Sequence, residues 1–186
     1  MSLLFHACCA PCLLYPATIL TERALDFTCY FYNPNIHPYT EFRKRLNCLV
    51  DVTKDRNIPL ILERDYGLRE FLRNVVFKEK SRCTYCYHSR ISKTAQTAKE
   101  NNFTSFSTTL LYSKYQNHDL IRKLSSGLAE KFSVSFFYED FRVGWQQGID
   151  DSISNGLYRQ KYCGCIYSEQ ERFDNRYKKK LKKGLI

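Results

Sequence analysis

Five short runs rich in apolar, β-branched or aromatic residues punctuate the chain: Leu3-Leu4-Phe5, Phe27 to Tyr32, Pro59 to Glu63, Phe103 to Thr109 and Val134 to Tyr138. Between them, apolar residues recur at helical spacing. The helical segments are Leu13 to Ala24, Glu41 to Arg56 (on Phe42, Leu46, Leu49 and Val50), Leu68 to Val76, Ser92 to Glu100, and a segment through Phe132 capped by Asn117 or Asp119. Strands alternating with helices leave few folds open. The pattern predicts an α/β single domain, a mostly parallel Rossmann-like sheet with helices on both faces. In such sheets ligands bind at the carboxyl ends of the strands. Three polar segments fall there: the Cys8–Cys12 turn, the loop Asn33 to Pro38, and Glu139-Asp140.

The first of these carries three thiols in five residues, His6-Ala7-Cys8-Cys9-Ala10-Pro11-Cys12, on a strand-to-helix turn. Backbone N–H groups and the helix dipole at such a turn favour thiolate over thiol. Seven of the nine cysteines are grouped: Cys8, Cys9 and Cys12; Cys83 and Cys86; Cys163 and Cys165. Cys29 and Cys48 stand alone in apolar patterns and belong to the core.

The chain has 186 residues, enough for one domain with a real core. No run approaches the roughly 18 apolar residues of a membrane span, and the N-terminus shows no signal peptide. A cytoplasmic location follows as the expectation, with thiols reduced or metal-bound instead of paired as disulfides. A formal charge of +10, with 14 tyrosines and 13 phenylalanines, suits nucleic acid. The end of the chain from Arg172 is strongly basic, so residues 1–171 read as a catalytic domain and 172–186 as a basic tail. Neither Gly-x-Gly-x-x-Gly nor a Gly-rich P-loop is present, which argues against a nicotinamide or nucleotide cradle of those types.

The grouped cysteines have three readings. Cys9, Cys12, Cys83 and Cys86 would make a tetrahedral structural zinc site. Cys9 and Cys12 alone would make a thioredoxin-like dithiol. An iron–sulfur cluster would take four thiolates and leave others for a second metal or a redox pair. Only the third employs all seven.

Taken in order, the motifs resemble a known family. His6 to Cys12, Tyr32-Asn33-Pro34-Asn35-Ile36-His37-Pro38, Arg82-Cys83 with Cys86-Tyr87 and Arg90, Thr108-Thr109-Leu110-Leu111, and Tyr158 to Cys165 are similar to those of the QueH type of epoxyqueuosine reductase. The resemblance implies a two-electron removal of the epoxide oxygen of epoxyqueuosine at the tRNA wobble position, giving queuosine. It also implies a [4Fe–4S] cluster with an additional mononuclear iron, no cobalamin, and an external electron donor.

On that reading Cys83 and Cys86 are expected as cluster ligands, completed from Cys8, Cys9, Cys12, Cys163 and Cys165. The remaining thiols would hold the second iron, with Asp140 as a carboxylate ligand. His6, His37, Tyr87 and Asp140 are the candidate proton donors. Arg82, Arg90, Arg159 and Lys161 would grip the anticodon-loop backbone, and Tyr32, Tyr85 or Tyr162 would stack on a base. Two rivals remain: a zinc-stabilised RNA-binding module without catalysis, and a thiol–disulfide oxidoreductase using Cys9 and Cys12.

Overall fold

The structure is a computed structural model that describes residues 2–184; Met1 and the last two tail residues, Leu185 and Ile186, lie outside the described residues. Five parallel strands form one sheet: β1 (Ser2–His6), β2 (Asp26–Phe31), β3 (Leu60–Leu62), β4 (Ser105–Thr108) and β5 (Ser135–Phe136), in the order β3-β2-β1-β4-β5. β1 is central, with Phe5 registered against Cys29 on one side and Ser107 on the other. Leu3, Leu4 and Phe5 are fully buried, the continuous apolar run that a strand covered on both faces requires. Each such side chain contributes roughly 1.5–3 kcal/mol on leaving water.

The helices are α1 (Ala10–Glu22), α2 (Tyr39–Asp55), α3 (Leu68–Val75), α4 (Arg82–Glu100), α5 (His118–Phe132), α6 (Trp145–Ser154), α7 (Ile166–Phe173) and α8 (Asn175–Lys182). They flank the sheet in two groups: α1 packs with α2 and α6, and α4 packs with α5 against β1 and β4. Asn117 caps α5, its side chain accepting from the Leu120 N–H at 3.0 Å. Among the described residues no helix is long and apolar enough to cross a membrane. Cys29 is fully buried, and Cys48 is half-buried against the core.

The largest departure from the expected elements is α4, which starts ten residues before Ser92 and takes Cys83 and Cys86 into its first turns. Its buried stripe runs through Cys86-Tyr87, Arg90-Ile91, Thr94-Ala95 and Thr97-Ala98. The spacing is helical, but Arg90, Thr94 and Thr97 make the stripe partly polar, so hydrophobic periodicity does not reveal it. The Gly-punctuated stretch Val143 to Asn155 contains α6, and the basic tail contains α8. Its start at residue 172 falls inside α7, and Asp174 caps α8 by accepting from the N–H groups of Arg176 and Tyr177, each at 2.9 Å.

Candidate metal centre

The strand order reverses direction between β1 and β4, and the crevice above that switch point is where an open α/β sheet binds its ligand. β1 delivers Cys8 and Cys9 there, and β4 delivers Thr108 and Thr109. Cys9 is the N-cap of α1 and Cys12 lies in its first turn. Cys83 and Cys86 open α4, and Cys165 caps α7, its sulfur accepting from the Ser168 N–H at 3.4 Å. Three helix N-termini therefore support the sulfur-bearing segments, a placement that favours bound negative charge.

Cys8, Cys9 and Cys12 bring their sulfurs within 4.8 Å of one another, the one such group among the described residues. The Cys8 and Cys9 sulfurs are 3.7 Å apart. Metal–sulfur bonds of roughly 2.3 Å at tetrahedral angles set ligand sulfurs about 3.8 Å apart, so the spacing suits a shared metal. Within the trio, negative charge is favoured on Cys8. Hydrogen bonds from the Cys12 and Cys9 thiols, with help from Thr109 and the charge of Arg90, hold Cys8 well below the usual thiol range. Burial pushes Cys9 up, and donation toward Cys8 pushes Cys12 up. The Cys8 N–H donates to Thr109 Oγ1 at 3.1 Å, and Gln160 Nε2 donates to Cys9 Sγ at 3.0 Å.

Cys83, Cys86, Cys163 and Cys165 form the second group. Cys86 and Cys165 are buried in one small apolar cluster with Phe71 and Val75, while Cys83 and Cys163 are exposed. Burial raises both Cys83 and Cys86, and Cys163 and Cys165 are near enough to add to each shift. Burial is the larger cause and pushes Cys86 up to about 12. A cavity of about 800 Å³ joins the groups, with Cys8, Cys12, Cys163 and Arg90 on its wall. Around it stand Trp145, Arg159, Lys161, Arg172 and Tyr115, the last 85 % exposed.

None of the four expected proton donors is on that wall. His6 is fully buried at the end of β1, and burial, then the charge of Arg90, lowers its pKa to about 4. Its Nε2–H donates to the Tyr32 carbonyl (3.1 Å), so Nδ1 accepts from the Thr108 hydroxyl (2.9 Å), which accepts in turn from the Leu110 N–H. That chain ties β1 to the ends of β2 and β4 and fixes the imidazole as neutral. Tyr87, pushed up to about 12 by burial, donates to Gln116 Oε1 at 2.8 Å, and Gln116 Nε2 donates to Cys163 Sγ at 3.4 Å. Asp140 sits apart: it caps the short turn Phe141–Gly144 and gives both carboxylate oxygens to Arg142 (2.8 and 2.6 Å), which draws it down to about 2. A carboxylate so engaged is not directed at the thiols, against its expected place among the ligands.

His37 is also structural in its surroundings. Buried against Tyr66 and Phe71, it donates from Nε2 to the Pro34 carbonyl at 3.1 Å and from its backbone N–H to the Gly164 carbonyl at 2.8 Å. Burial lowers its pKa to about 4. The neutral form is favoured in the folded protein, so its contribution is complete above the unfolded value near 6.5 and is lost as pH falls from 6.5 toward 4. Between pH 7 and pH 5, the metal-free protein should lose about 2 kcal/mol more stability than His37→Gln. Urea titrations at the two pH values measure this; equal losses would show that His37 does not carry the effect.

Of the expected phosphate grips, Arg159 and Lys161 are exposed at the cavity. Arg82 is paired with Glu171 at 2.5 Å, and Arg90 is buried, bonded to Cys86 at the cavity wall. Tyr32 stacks on Tyr30, and the Tyr162 hydroxyl donates to the His37 carbonyl.

Sequence reasoning passed over Arg45, which is 1 % exposed on α2. Its Nε donates to Glu41 (2.7 Å), Nη1 to the Cys163 carbonyl (2.7 Å) and Nη2 to the Tyr162 carbonyl (3.0 Å). The signal was present: Arg45 falls on the apolar face of its helix between Phe42 and Leu49, with Glu41 four residues before it. Gln116 had no comparable signal.

A family model described as epoxyqueuosine reductase QueH matches residues 3–171. The chain belongs to that family. Among relatives bearing the family name, the protein of Dehalococcoides mccartyi is 36 % identical over 171 residues, 92 % of this chain and 94 % of its own length. That of Thermotoga maritima is 35 % identical over 193 residues, covering 98 % of each chain. That of Streptococcus pyogenes is 34 % identical, covering 90 % of this chain and 70 % of its own. The matched span contains every thiol of the site, from Cys8 to Cys165.

Proposed function

We propose that the chain is an epoxyqueuosine reductase in which the two thiol groups hold two metal cofactors. It reduces epoxyqueuosine in tRNA to queuosine, the activity for which its family is named. The observation that carries the cofactor reading is one cavity with Cys8 and Cys12 of the close trio and Cys163 of the other four thiols on its wall. Four thiolates are what a [4Fe–4S] cluster takes, so Cys83, Cys86, Cys163 and Cys165 would hold it. Cys8, Cys9 and Cys12 would hold the additional iron and leave one position free toward the cavity. A structural zinc site is closed by four protein ligands, whereas a trio beside a cavity suits a metal that meets substrate. When bound, the metals supply the two electrons and the Lewis acidity that protein side chains lack.

The chain's own residues bind and orient. Thr109, Gln160 and Gln116 direct hydrogen bonds at Cys8, Cys9 and Cys163, which fixes the sulfurs. Arg159, Lys161 and Arg172 offer phosphate contacts, and Tyr115 beside Trp145 offers a stacking surface for an unpaired base of the tRNA. His6, His37 and Tyr87 act as positioning residues. A reducing cytoplasm and an external electron donor suit an enzyme whose site is built from thiols and whose substrate is tRNA.

The test is metal and sulfide analysis of anaerobically purified protein, with turnover of an epoxyqueuosine-bearing tRNA anticodon stem-loop under a chemical reductant. About five irons and four sulfides per chain, with queuosine formed, is the expected result. One zinc, no sulfide and tight RNA binding without turnover would establish the zinc module instead.

A further inference from the structure

The structure contains two fully buried arginines, and they are neutralised differently. Arg45, 1 % exposed, has the Glu41 carboxylate at 2.7 Å. Arg90, 2 % exposed, has no carboxylate within ion-pair distance among the described residues. Its hydrogen bonds go to Cys86 alone: Nε to the carbonyl at 3.1 Å and Nη2 to the sulfur at 3.1 Å. The guanidinium stays charged at any working pH, and an uncompensated buried charge is costly. Its compensation must come from nearby anions. The ionisable groups around Arg90 are Cys86, Cys163, Cys8 and Tyr87, three of them thiols drawn from both groups. The side chain also forms part of the cavity wall that carries Cys8 and Cys163.

We propose that Arg90 is the shared counter-cation of the two thiol groups, a positioning residue that sets the charge balance, and so the reduction potential, of the iron–sulfur centre. The inference rests on the cofactor reading above. α4 carries Cys86 and Arg90 one turn apart on its buried face, so the cation and the ligand it touches are positioned by a single rigid element. Adding an electron to a thiolate-bound cluster adds negative charge, and a fixed cation in contact with one ligand sulfur stabilises that state. Lysine at 90 would keep the charge but not the fork that engages the carbonyl and the sulfur together.

The experiment compares wild type, Arg90→Lys and Arg90→Met, reconstituted anaerobically. Iron and sulfide are counted, and midpoint potentials are read by titration with a low-potential reductant, followed by visible absorption. At the wild-type midpoint, the reduced-to-oxidised ratio should fall about tenfold or more in Arg90→Met, about 59 mV for one electron. In Arg90→Lys it should change less than roughly threefold, about 28 mV on the same scale. A loaded Arg90→Met protein with the wild-type potential would overturn the proposal. If Arg90→Met does not load, loading of Arg90→Lys supports a charge role, and failure of both variants overturns it in favour of packing. Wild-type protein without iron and sulfide would instead defeat the cofactor reading beneath it.

Discussion

Replacing Cys83 by Ala is expected to abolish turnover while leaving the metal-free protein as stable as wild type. The thiol is exposed at the start of α4 and makes no hydrogen bond among the described residues, so folding loses little with it. Surface substitutions of this kind usually stay within about 0.5 kcal/mol. Activity should nevertheless fall to background, because even the loss of a group that merely supports a metal ligand costs about 10–100-fold. The contrast is Cys48→Ala, which removes a half-buried thiol from the core and should lower stability slightly while keeping turnover. Urea denaturation of metal-free samples, sulfide content and turnover of the loaded proteins decide the matter together. An active Cys83→Ala enzyme would remove the quartet from catalysis and restore the dithiol reading, in which Cys9 and Cys12 suffice.

This pairing of effects bears on what was legible in the sequence. The strand runs named the sheet because a central parallel strand must be apolar on both faces, and β1 is. The cysteine spacings grouped the thiols, and the structure puts Cys83 and Cys86 one helical turn apart at the start of α4. Partition of the seven thiols was not legible. It depends on where Cys163 and Cys165 return to the sheet, and that return is set by contacts more than a hundred residues apart in sequence. The roles given to His6, His37 and Asp140 rested on their nearness to motifs. In the structure, backbone carbonyls, the Thr108 hydroxyl and Arg142 occupy them instead. Arg90 reads as a phosphate grip by type, and its burial is not visible in the sequence.

Arg45→Met should be the most destabilising single substitution of a charged residue in the chain, at about 3–5 kcal/mol, the usual consequence of stranding half of a buried ion pair. Glu41 would keep only the hydroxyl of Tyr158, and the carbonyls of Tyr162 and Cys163 would lose their donors. Those carbonyls lie in the loop that carries Cys163 and Cys165. The His37–Gly164 backbone bond, the Tyr162 hydroxyl, Gln116 and Ser168 still hold the loop, but with two carbonyls released metal should leave the variant faster under a chelator. The double variant Glu41→Leu with Arg45→Met discriminates a charge effect from simple loss of packing. Removing both charges should recover roughly 1–3 kcal/mol of the single-variant loss, a non-additivity expected only of residues in direct contact. Recovery would remain partial, because two carbonyls stay unpaired at about 1–3 kcal/mol each. Arg45→Lys keeps the charge but cannot serve three acceptors from one planar fork, and should fall between wild type and Arg45→Met. Urea midpoints of the metal-free proteins read out the series. A cost below about 1 kcal/mol for Arg45→Met, within the range of an ordinary exposed pair, would show that the loop carrying Cys163 and Cys165 is held by other means.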